Sequence, residues 1–268
     1  MAESTTRFNG RVALVTGAGS GIGKVIALAL LESGAGVAGI GRAAGTAKYL
    51  GDFKKFGEQF LWVRADVSRE MEVRRAVARV LRKCGRIDFL INNAGVRGPT
   101  VPVASLGATD WQKVIATNLT GAFLVSRECL KSMIPQRQGR IINISSTAGR
   151  VAYPFRASYS ASKWGLIGFT LTLAQEVGPH NILVNALCPG PVEGAAMDEV
   201  IEARAKALRL PVKSVRGRFV SSTALGRMVT PEDVSDTVLF LCSDQARSIT
   251  GQVIDVSAGF GLTQKLQR

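Results

Sequence analysis

The sequence predicts an α/β fold: a doubly wound, seven-stranded parallel sheet with helices on both faces, in three αβα layers. Short continuous runs of Val, Ile and Leu alternate with helix-like stretches from end to end, which indicates strands that are covered on both faces. Strand–helix alternation of this kind also implies parallel βαβ units. No break in composition and no internal repeat divides the chain, so we expect one domain over residues 1–268.

The apolar runs are the predicted strands, and the predicted helices lie between them. The strands are Arg11–Thr16, Gly36–Ile40, Phe60–Arg64, Ile87–Asn92, Arg140–Ser145, Ile182–Leu187 and Gln252–Val256. The helices are expected near residues 21–34, 68–83, 109–133, 159–178 and 231–242. The last of these has a strong start signal, because Thr230 can cap it and Pro231 suits its first position.

Two segments fall outside this alternation. Residues 190–225 follow the sixth strand, carry no clear strand signal and are too long for an ordinary connection. We therefore expect them to form a lid over the substrate. Residues 1–9 are polar and are expected to be a flexible N-terminus rather than a signal peptide.

Composition argues against several classes of protein. His180 is the only histidine, and no two of the four cysteines form a CxxC pair, so a metal site and histidine-based catalysis are both disfavoured. The cysteines, Cys84, Cys129, Cys188 and Cys242, are expected to be reduced and buried. The apolar stretches are too short or too periodic to cross a bilayer, so we expect a cytoplasmic protein with no membrane partner.

The net charge of +14 raises the question of nucleic-acid binding. The basic residues are spread along the chain, however, and no basic run is interleaved with aromatic residues. We therefore expect no nucleic-acid partner. A soluble basic surface or attraction to anionic small molecules explains the charge better.

A glycine-rich turn follows the first predicted strand and leads directly into an apolar helix. The turn contains Gly17, Gly19, Ser20, Gly21, Ile22 and Gly23. Glycines at this place, typical of a Rossmann-type fold, permit the tight turn, let the backbone approach a pyrophosphate and let the helix pack on the sheet. The N-terminus of the helix then offers free N–H groups and partial positive charge to the phosphates.

The end of the second strand indicates which dinucleotide is bound. An acidic residue there would bind the adenosine 2′-hydroxyl, but the sequence has Gly41 and Arg42 instead. An arginine at this edge suits a 2′-phosphate. The sequence therefore predicts NADP as the preferred cofactor, with NAD as the alternative.

Tyr159 and Lys163 lie four residues apart on a predicted helix, so their side chains share one helix face. A free tyrosine has a pKa of about 10, and a nearby ammonium is expected to lower it towards neutrality. Ser146 stands 13 residues before Tyr159, at the end of the fifth strand, where open α/β sheets bind their ligands. The 13-residue interval favours Ser146 over Ser145 as the reacting serine, and Tyr153 is expected to line the substrate pocket.

Together these motifs resemble the short-chain dehydrogenase/reductase family in its ~250-residue form, particularly 3-oxoacyl-carrier-protein reductases and related secondary alcohol dehydrogenases. The resemblance covers roughly residues 9–261. It depends on the glycine turn and on Asp66-Val67, Asn92-Asn93-Ala94-Gly95, Asn118, Ser145-Ser146, Tyr159, Lys163 and Pro189-Gly190, all in the order of the family.

The resemblance implies an oxidoreductase that moves a hydride between NADP(H) or NAD(H) and a ketone or secondary alcohol, such as a 3-oxoacyl thioester. Tyr159 would exchange the proton, Lys163 would hold the nicotinamide ribose and Ser146 would bind the substrate oxygen. Asn118 would anchor a water in a proton relay. The residues expected at the cofactor are Gly17, Gly19, Ser20, Gly21, Ile22, Gly23, Arg42, Asp66, Val67, Asn93, Ala94, Gly95, Tyr159, Lys163, Pro189, Gly190 and Val192.

The chain departs from the family pattern in two places. Many relatives carry a threonine after the Pro-Gly pair, where this chain has Gly194, and Val192 is expected to bind the carboxamide instead. Near the C-terminus, Ser257-Ala258-Gly259 replaces the frequent Asp-Gly-Gly, which affects an expected subunit contact. The helices at 109–133 and 159–178 form the usual interface of the family, so a homotetramer is expected, with a dimer next.

The predicted lid is basic. Two interpretations stay open: recognition of an anionic substrate, or a solvated surface balanced by Asp198, Glu199 and Glu202. A further alternative for the whole chain is a dinucleotide-binding sensor of the same fold without catalysis. The basic residues of the lid are Arg204, Lys206, Arg209, Lys213, Arg216 and Arg218.

Overall fold

The structure is a computed structural model that describes residues 7–43 and 50–261. Within those residues, the seven predicted strands form one parallel sheet, so the predicted fold class is confirmed. The strands are β1 (Val12–Thr16), β2 (Gly36–Gly41), β3 (Phe60–Arg64), β4 (Phe89–Asn92), β5 (Gly139–Ile144), β6 (Ile182–Pro189) and β7 (Val253–Val256). Their order across the sheet is β3-β2-β1-β4-β5-β6-β7, and the direction of winding reverses between β1 and β4. Ligands of open α/β sheets bind at such a reversal, outside the carboxyl ends of the strands.

The helices of the described residues agree with the prediction except in two regions. They are α1 (Gly21–Glu32), α2 (Glu70–Cys84), α3 (Ala108–Ile115), α4 (Gly121–Gln136), α5 (Ala157–Val177), α6 (Ala195–Leu208), α7 (Val212–Ser221) and α8 (Pro231–Cys242). The single helix predicted over 109–133 is interrupted by a π-helical turn, Ala116–Thr120, which joins α3 to α4. The predicted lid contains two helices, α6 and α7. A capping box at Thr230 and Asp233 starts α8, as its sequence indicates.

Two apolar clusters hold the three layers together. Helices α1 and α8 pack on one face of the sheet, and α2, α4 and α5 pack on the other. Alternate strand residues supply the two faces: Val15 belongs to the first cluster and Leu14 to the second. Because both faces are covered, the strands need apolar residues at every position, which explains their continuous runs.

The N-terminal segment is only partly described. Residues 1–6 of the predicted flexible terminus lie outside the described residues, whereas Phe8 is buried against Phe89, with ring centroids 5.1 Å apart. The backbone N–H of Phe8 also donates to the Ser33 carbonyl at 2.9 Å. The end of this segment is therefore anchored to the core, because an aromatic ring there buries apolar surface.

Candidate active site

The glycine turn between β1 and α1 is shaped by close backbone approaches. Gly17 has φ +69°, a conformation that side chains with a Cβ rarely adopt. A Cβ on Gly23 would collide with the Gly17 carbonyl and with Nδ2 of Asn93. Nδ2 of Asn93 in turn donates to the Thr16 carbonyl at 3.0 Å and so fixes the turn against β4.

The start of α1 is suited to a pyrophosphate. Gly21 has φ +53°, and no acidic residue stands in the first helical turn to oppose an anion. The Ser20 side chain makes no capping hydrogen bond, so it leaves the first N–H groups of the helix to a ligand. Gly19 faces Trp62, and the Ile22 side chain packs against the core beneath the turn. These features fit the phosphates of a dinucleotide.

The carboxyl ends of β2 and β3 form the next part of the edge. Gly41 packs so closely on the Trp62 ring that a Cβ there would clash, and Arg42 is exposed beside it. Burial pushes the pKa of Asp66 upward, but two hydrogen bonds from Ser68 and the charge of Arg42 bring it below its ordinary value. Asp66 is therefore an ionised acceptor close to Arg42, with Val67 buried next to it.

The Asn-Asn-Ala-Gly segment at the end of β4 contacts the glycine turn on one side and the π-helical turn Ala116–Thr120 on the other. The backbone N–H groups of Asn93 and Ala94 both donate to Oγ1 of Thr16 at 3.0 Å. Gly95 leaves room for Asn118, whose Oδ1 would lie 3.2 Å from a Cβ there. π-helical turns frequently mark functional sites, and this one contains the buried Asn118 side chain.

Tyr159, Ser146 and Lys163 are brought together at the carboxyl end of β5. Tyr159 and Ser146 line the same pocket, where the Ser146 hydroxyl lowers the pKa of the phenol, and Nζ of Lys163 lies 5.7 Å from the centroid of the Tyr159 ring. Ser146 is held in place because its Oγ also accepts from the backbone N–H of Ala148 at 3.1 Å. Ser145 has a different partner: its Oγ donates to the Lys163 carbonyl at 3.0 Å, which is the structural role expected for it.

The expected effect of Lys163 on Tyr159 is not what the structure shows. Burial raises the pKa of Tyr159, and the groups that oppose this rise are the Ser146 hydroxyl and the cations Arg156 and Arg97. Burial also lowers the pKa of Lys163 to about 8, and its Nζ donates to the Ile144 carbonyl at 2.7 Å. Lys163 is still mostly protonated at pH 7, but the burial of the phenol outweighs the cations around it, so the lowered Tyr159 pKa expected from helical spacing alone was wrong.

The Asn118 side chain connects the helices around this centre. Its Nδ2 donates to the Val96 carbonyl and to Oγ of Ser162, both at 3.0 Å, and its Oδ1 accepts from the Val96 N–H at 2.8 Å. Ser162 in turn donates to the Tyr159 carbonyl at 2.7 Å. Asn118 therefore ties the π-helical turn to the helix that carries Tyr159 and Lys163.

A pocket of about 90 Å³ opens beside Tyr159 and Ser146. Its walls come from elements far apart in sequence, and Tyr153 is among them, as expected. The charged members of the lining, Arg97 and Arg156, were missed by the sequence analysis. Arg156 stands three residues before Tyr159, at the N-cap of α5, and this closeness in sequence to Tyr159 is the signal that could have found it. The remaining lining residues are Thr147, Gly190, Pro191, Met197, Val200, Phe219 and Phe260.

The chain leaves β6 along the opposite wall. A Cβ on Gly190 would lie 2.8 Å from Cα of Ser257, so glycine is required where the chain passes the segment after β7. Val192 pairs with Val229 in a short parallel bridge, which directs its backbone along this edge after Pro189. Gly194 has φ +118°, a conformation open essentially to glycine alone, so the threonine of many relatives would be strained at this position.

Helices α6 and α7 close the pocket with an apolar cluster of their own that includes Met197, Ile201 and Phe219. Among the basic residues of this segment, Arg204 is partly buried and lies over the rings of Tyr153 and Phe219. Arg216 pairs with Asp198 on the surface. Its four basic neighbours, Lys206, Arg209, Lys213 and Arg218, are exposed.

Other expected features are located as follows. Cys129, Cys188 and Cys242 are buried, Cys84 is partly buried, and none of the four forms a disulfide. His180 ends a short 3-10 turn that follows α5.

No group of His, Cys, Asp and Glu within residues 7–43 and 50–261 is arranged to hold a metal ion. In the same residues, no helix has the length and apolar character that a bilayer-spanning segment needs.

Known proteins are similar to this chain in sequence and in architecture. The profile of the short chain dehydrogenase family matches residues 11–205. The 3-oxoacyl-carrier-protein reductase of Aquifex aeolicus is 37% identical over 255 residues, which are 94% of this chain and 98% of that protein. Xylitol dehydrogenase bound to NAD+ has a TM-score of 0.91 at 34% identity and covers 95% of this chain and 100% of its own. A variant of actinorhodin polyketide ketoreductase with NADPH has a TM-score of 0.89 at 36% identity and covers 98% and 100%.

Proposed function

The chain belongs to the short-chain dehydrogenase family and is an oxidoreductase of CH–OH and keto groups; we propose that it interconverts a ketone and a secondary alcohol with NADP(H) as its preferred cofactor. The observation that carries this proposal is that Tyr159 and Ser146 line one pocket, beside buried Lys163 and at the same edge of the sheet as the glycine turn. A dinucleotide bound at this edge supplies the hydride. The protein supplies orientation and a proton.

Tyr159 is the proton donor in the direction of ketone reduction. Because burial raises its pKa, the phenol is protonated at neutral pH and can give its proton to the developing alkoxide. In alcohol oxidation the same oxygen must first be deprotonated, and the cations Arg156 and Arg97 favour that form. Ser146 donates a second hydrogen bond to the substrate oxygen and fixes its position.

Lys163 and Asn118 support this centre. Lys163 would hold the nicotinamide ribose with the N–H groups that its bond to the Ile144 carbonyl leaves free. In Asn118, both N–H groups of the amide already have partners, so a relay water would have to use the second lone pair of Oδ1. We propose that Asn118 both positions the Tyr159 helix and anchors that water.

Replacing Tyr159 by phenylalanine tests the chemistry. Tyr159→Phe removes the proton donor but keeps the ring, so we expect NADPH to bind normally while ketone reduction falls by about 10³-fold. Binding is measured by fluorescence titration and turnover by NADPH absorbance on a panel of ketones, acyl thioesters and secondary alcohols. If the variant retained more than a tenth of wild-type turnover, Tyr159 would not be the donor.

The preference for NADP(H) depends on Arg42. This side chain is exposed beside the Trp62 ring, where a 2′-phosphate would find no competing carboxylate on the same strand end. Residues 44–49, which follow, lie outside the described residues. We expect Arg42→Ala to raise the Kd for NADPH by roughly tenfold, because a charge-assisted hydrogen bond is lost. The Kd for NADH should not change, and a wild type that binds NADH more tightly than NADPH would refute the preference.

The substrate proposal draws on two kinds of relative. The Aquifex aeolicus protein is named for 3-oxoacyl-carrier-protein reduction, and one structural neighbour is named for xylitol dehydrogenation. Reduction of a 3-oxoacyl thioester turns a ketone into a secondary alcohol, and oxidation of a polyol turns a secondary alcohol into a ketone, so both reactions take place at an oxygen that Tyr159 and Ser146 would bind. The alternative of a sensor without catalysis is less well supported, because Ser146, Tyr159 and Lys163 are all present and lie close together at the end of β5.

We also propose that the protein is a cytoplasmic homotetramer. Trp111, Phe123, Trp164 and Leu171 are each at least 40% exposed on α3, α4 and α5. Phe123 of α4 lies edge-on to Phe169 of α5, so these helices present one continuous apolar surface. A tetramer that covers this surface should appear in light scattering after gel filtration, and Trp164→Glu should dissociate it.

A further inference from the structure

The pocket beside Tyr159 is surrounded by arginines. Arg97 and Arg156 line it, and the guanidinium carbon of Arg204 lies 5.4 Å from the centroid of the Tyr153 ring. Arg97 is neutralised by Glu199 of α6. Within residues 7–43 and 50–261, no carboxylate lies at ion-pair distance from Arg156 or Arg204. The pocket therefore has an excess of positive charge.

Arg156 is the most constrained of the three. Its side chain belongs to a residue that is only 5% exposed, with Nη1 donating to Oγ1 of Thr100 at 3.2 Å and Nη2 to the Arg97 carbonyl at 3.0 Å. Its Nε is buried and has no hydrogen-bond partner. Burying a cation without a countercharge is costly, and leaving one of its N–H groups unpaired adds to that cost. A ligand that brings a negative charge to this guanidinium would offset that cost.

We propose that Arg156, assisted by Arg97 and Arg204, binds a compact anionic group, a carboxylate or a sulfonate, carried by the carbonyl substrate itself. This inference rests on the proposed function, because the carbonyl end of the same molecule would lie between Ser146 and Tyr159. The guanidinium carbon of Arg156 is 5.3 Å from the centroid of the Tyr159 ring, so the two ends of the substrate are separated by only a few bonds.

The rest of the lining agrees with a short substrate. Met197, Val200 and Phe260 provide apolar walls for a brief hydrocarbon link between the two polar ends. The pocket of about 90 Å³ has room for a small keto or hydroxy acid group. The exposed lysines and arginines of α6 and α7 have no part in this site, so the anion is recognised inside the pocket.

Arg156 has one competing role, which the experiment must separate. Its charge, together with that of Arg97, opposes the rise in the pKa of Tyr159. If Arg156 served only to adjust Tyr159, its removal would slow all substrates equally and shift the pH profile of alcohol oxidation to higher pH. If it binds an anion, its removal would weaken charged substrates far more than neutral ones, in addition to any common effect through Tyr159.

The first measurement is binding without turnover. Pentanoate, 1-butanesulfonate and neutral pentanamide are titrated by calorimetry into the enzyme saturated with NADP+. We expect the two anions to bind the wild type at least tenfold more tightly than the amide, and Arg156→Gln to weaken the anions by about 100-fold while leaving the amide unchanged. Arg156→Lys should recover part of the loss. Arg79→Gln, which removes an exposed charge from α2, is the matched control and should change nothing.

The second measurement is turnover of 4-oxopentanoate and its neutral amide with saturating NADPH. We expect Arg156→Gln to raise KM for the acid and to lower the ratio of kcat/KM for the acid to kcat/KM for the amide by at least tenfold, beyond any loss that both substrates share through Tyr159. Equal binding of pentanoate and pentanamide to the wild type, or an equal loss of both substrates in the variant, would overturn the proposal. Absence of turnover on every ketone would refute the proposed function, but the calorimetric result would still decide whether Arg156 binds anions.

Discussion

The glycine turn and the arginine pocket stand at the same edge of the sheet but are built in different ways. The turn would bind a dinucleotide through backbone groups, and its requirements are steric: Gly17 needs a positive φ and Gly23 needs to have no Cβ. The pocket is built from side chains, with Arg97 following β4, Arg156 preceding Tyr159 and Phe219 coming from α7.

This difference governs how each region tolerates change. In a site made of backbone groups, the backbone cannot move aside to make room for an added Cβ, so one methyl group can destroy the site. A side-chain site can exchange charge and shape one residue at a time, which is how members of one family come to differ in substrate while they share a cofactor. The cofactor end should therefore be fragile and the substrate end adjustable.

The largest effect is expected from Gly23→Ala. The added methyl group would collide with the Gly17 carbonyl, which belongs to the backbone and cannot move aside without opening the turn. We expect a loss of about 3 kcal/mol in the free energy of unfolding and at least a 100-fold rise in the Kd for NADPH.

Thermal denaturation and fluorescence titration measure these two quantities. Gly217→Ala in α7 is the matched control, because no atom lies within 4 Å of the added Cβ. That change should stabilise the protein by about 0.5 to 1 kcal/mol, since alanine is the better helix former. Normal binding of NADPH by Gly23→Ala would show that the turn is less rigid than its contacts indicate.

A smaller effect is expected from pH, at the boundary between the two regions. The pKa of Lys163 is lowered to about 8, so its ammonium is present below that pH and is lost as the pH rises through it. Tyr159 keeps its proton because its pKa is raised. Ketone reduction should therefore fall by about tenfold between pH 7 and pH 9, as measured by kcat/KM, with circular dichroism as the control for unfolding. A flat profile to pH 10 would mean that the charge of Lys163 is not required.

The smallest effect is expected on the outer surface of α7. Arg216 forms an exposed ion pair with Asp198, and such pairs contribute ~0–1 kcal/mol. Arg216→Gln should lower the free energy of unfolding by less than about 0.5 kcal/mol and should leave KM for anionic ketones unchanged. A rise in KM comparable to that of Arg156→Gln would instead place anion recognition on the basic lid surface.

The sequence by itself determined the sheet and the cofactor end. Every β-strand was predicted to within two residues at each end, because strands buried on both faces must be apolar throughout. The glycine turn, Tyr159, Lys163 and Ser146 were equally visible, since backbone geometry and a helical period fix their spacing.

Tertiary structure alone decided the substrate end and the electrostatics of Tyr159. These residues are far apart in sequence, and no sequence pattern indicates that Arg97 pairs with Glu199 of α6 or that Arg204 lies over the Tyr153 ring. The π-helical turn at Asn118 was also invisible, because its residues continue an ordinary helical pattern. Burial reversed the expected pKa shift of Tyr159 because desolvation depends on which groups surround a side chain in three dimensions, a quantity that local spacing does not contain.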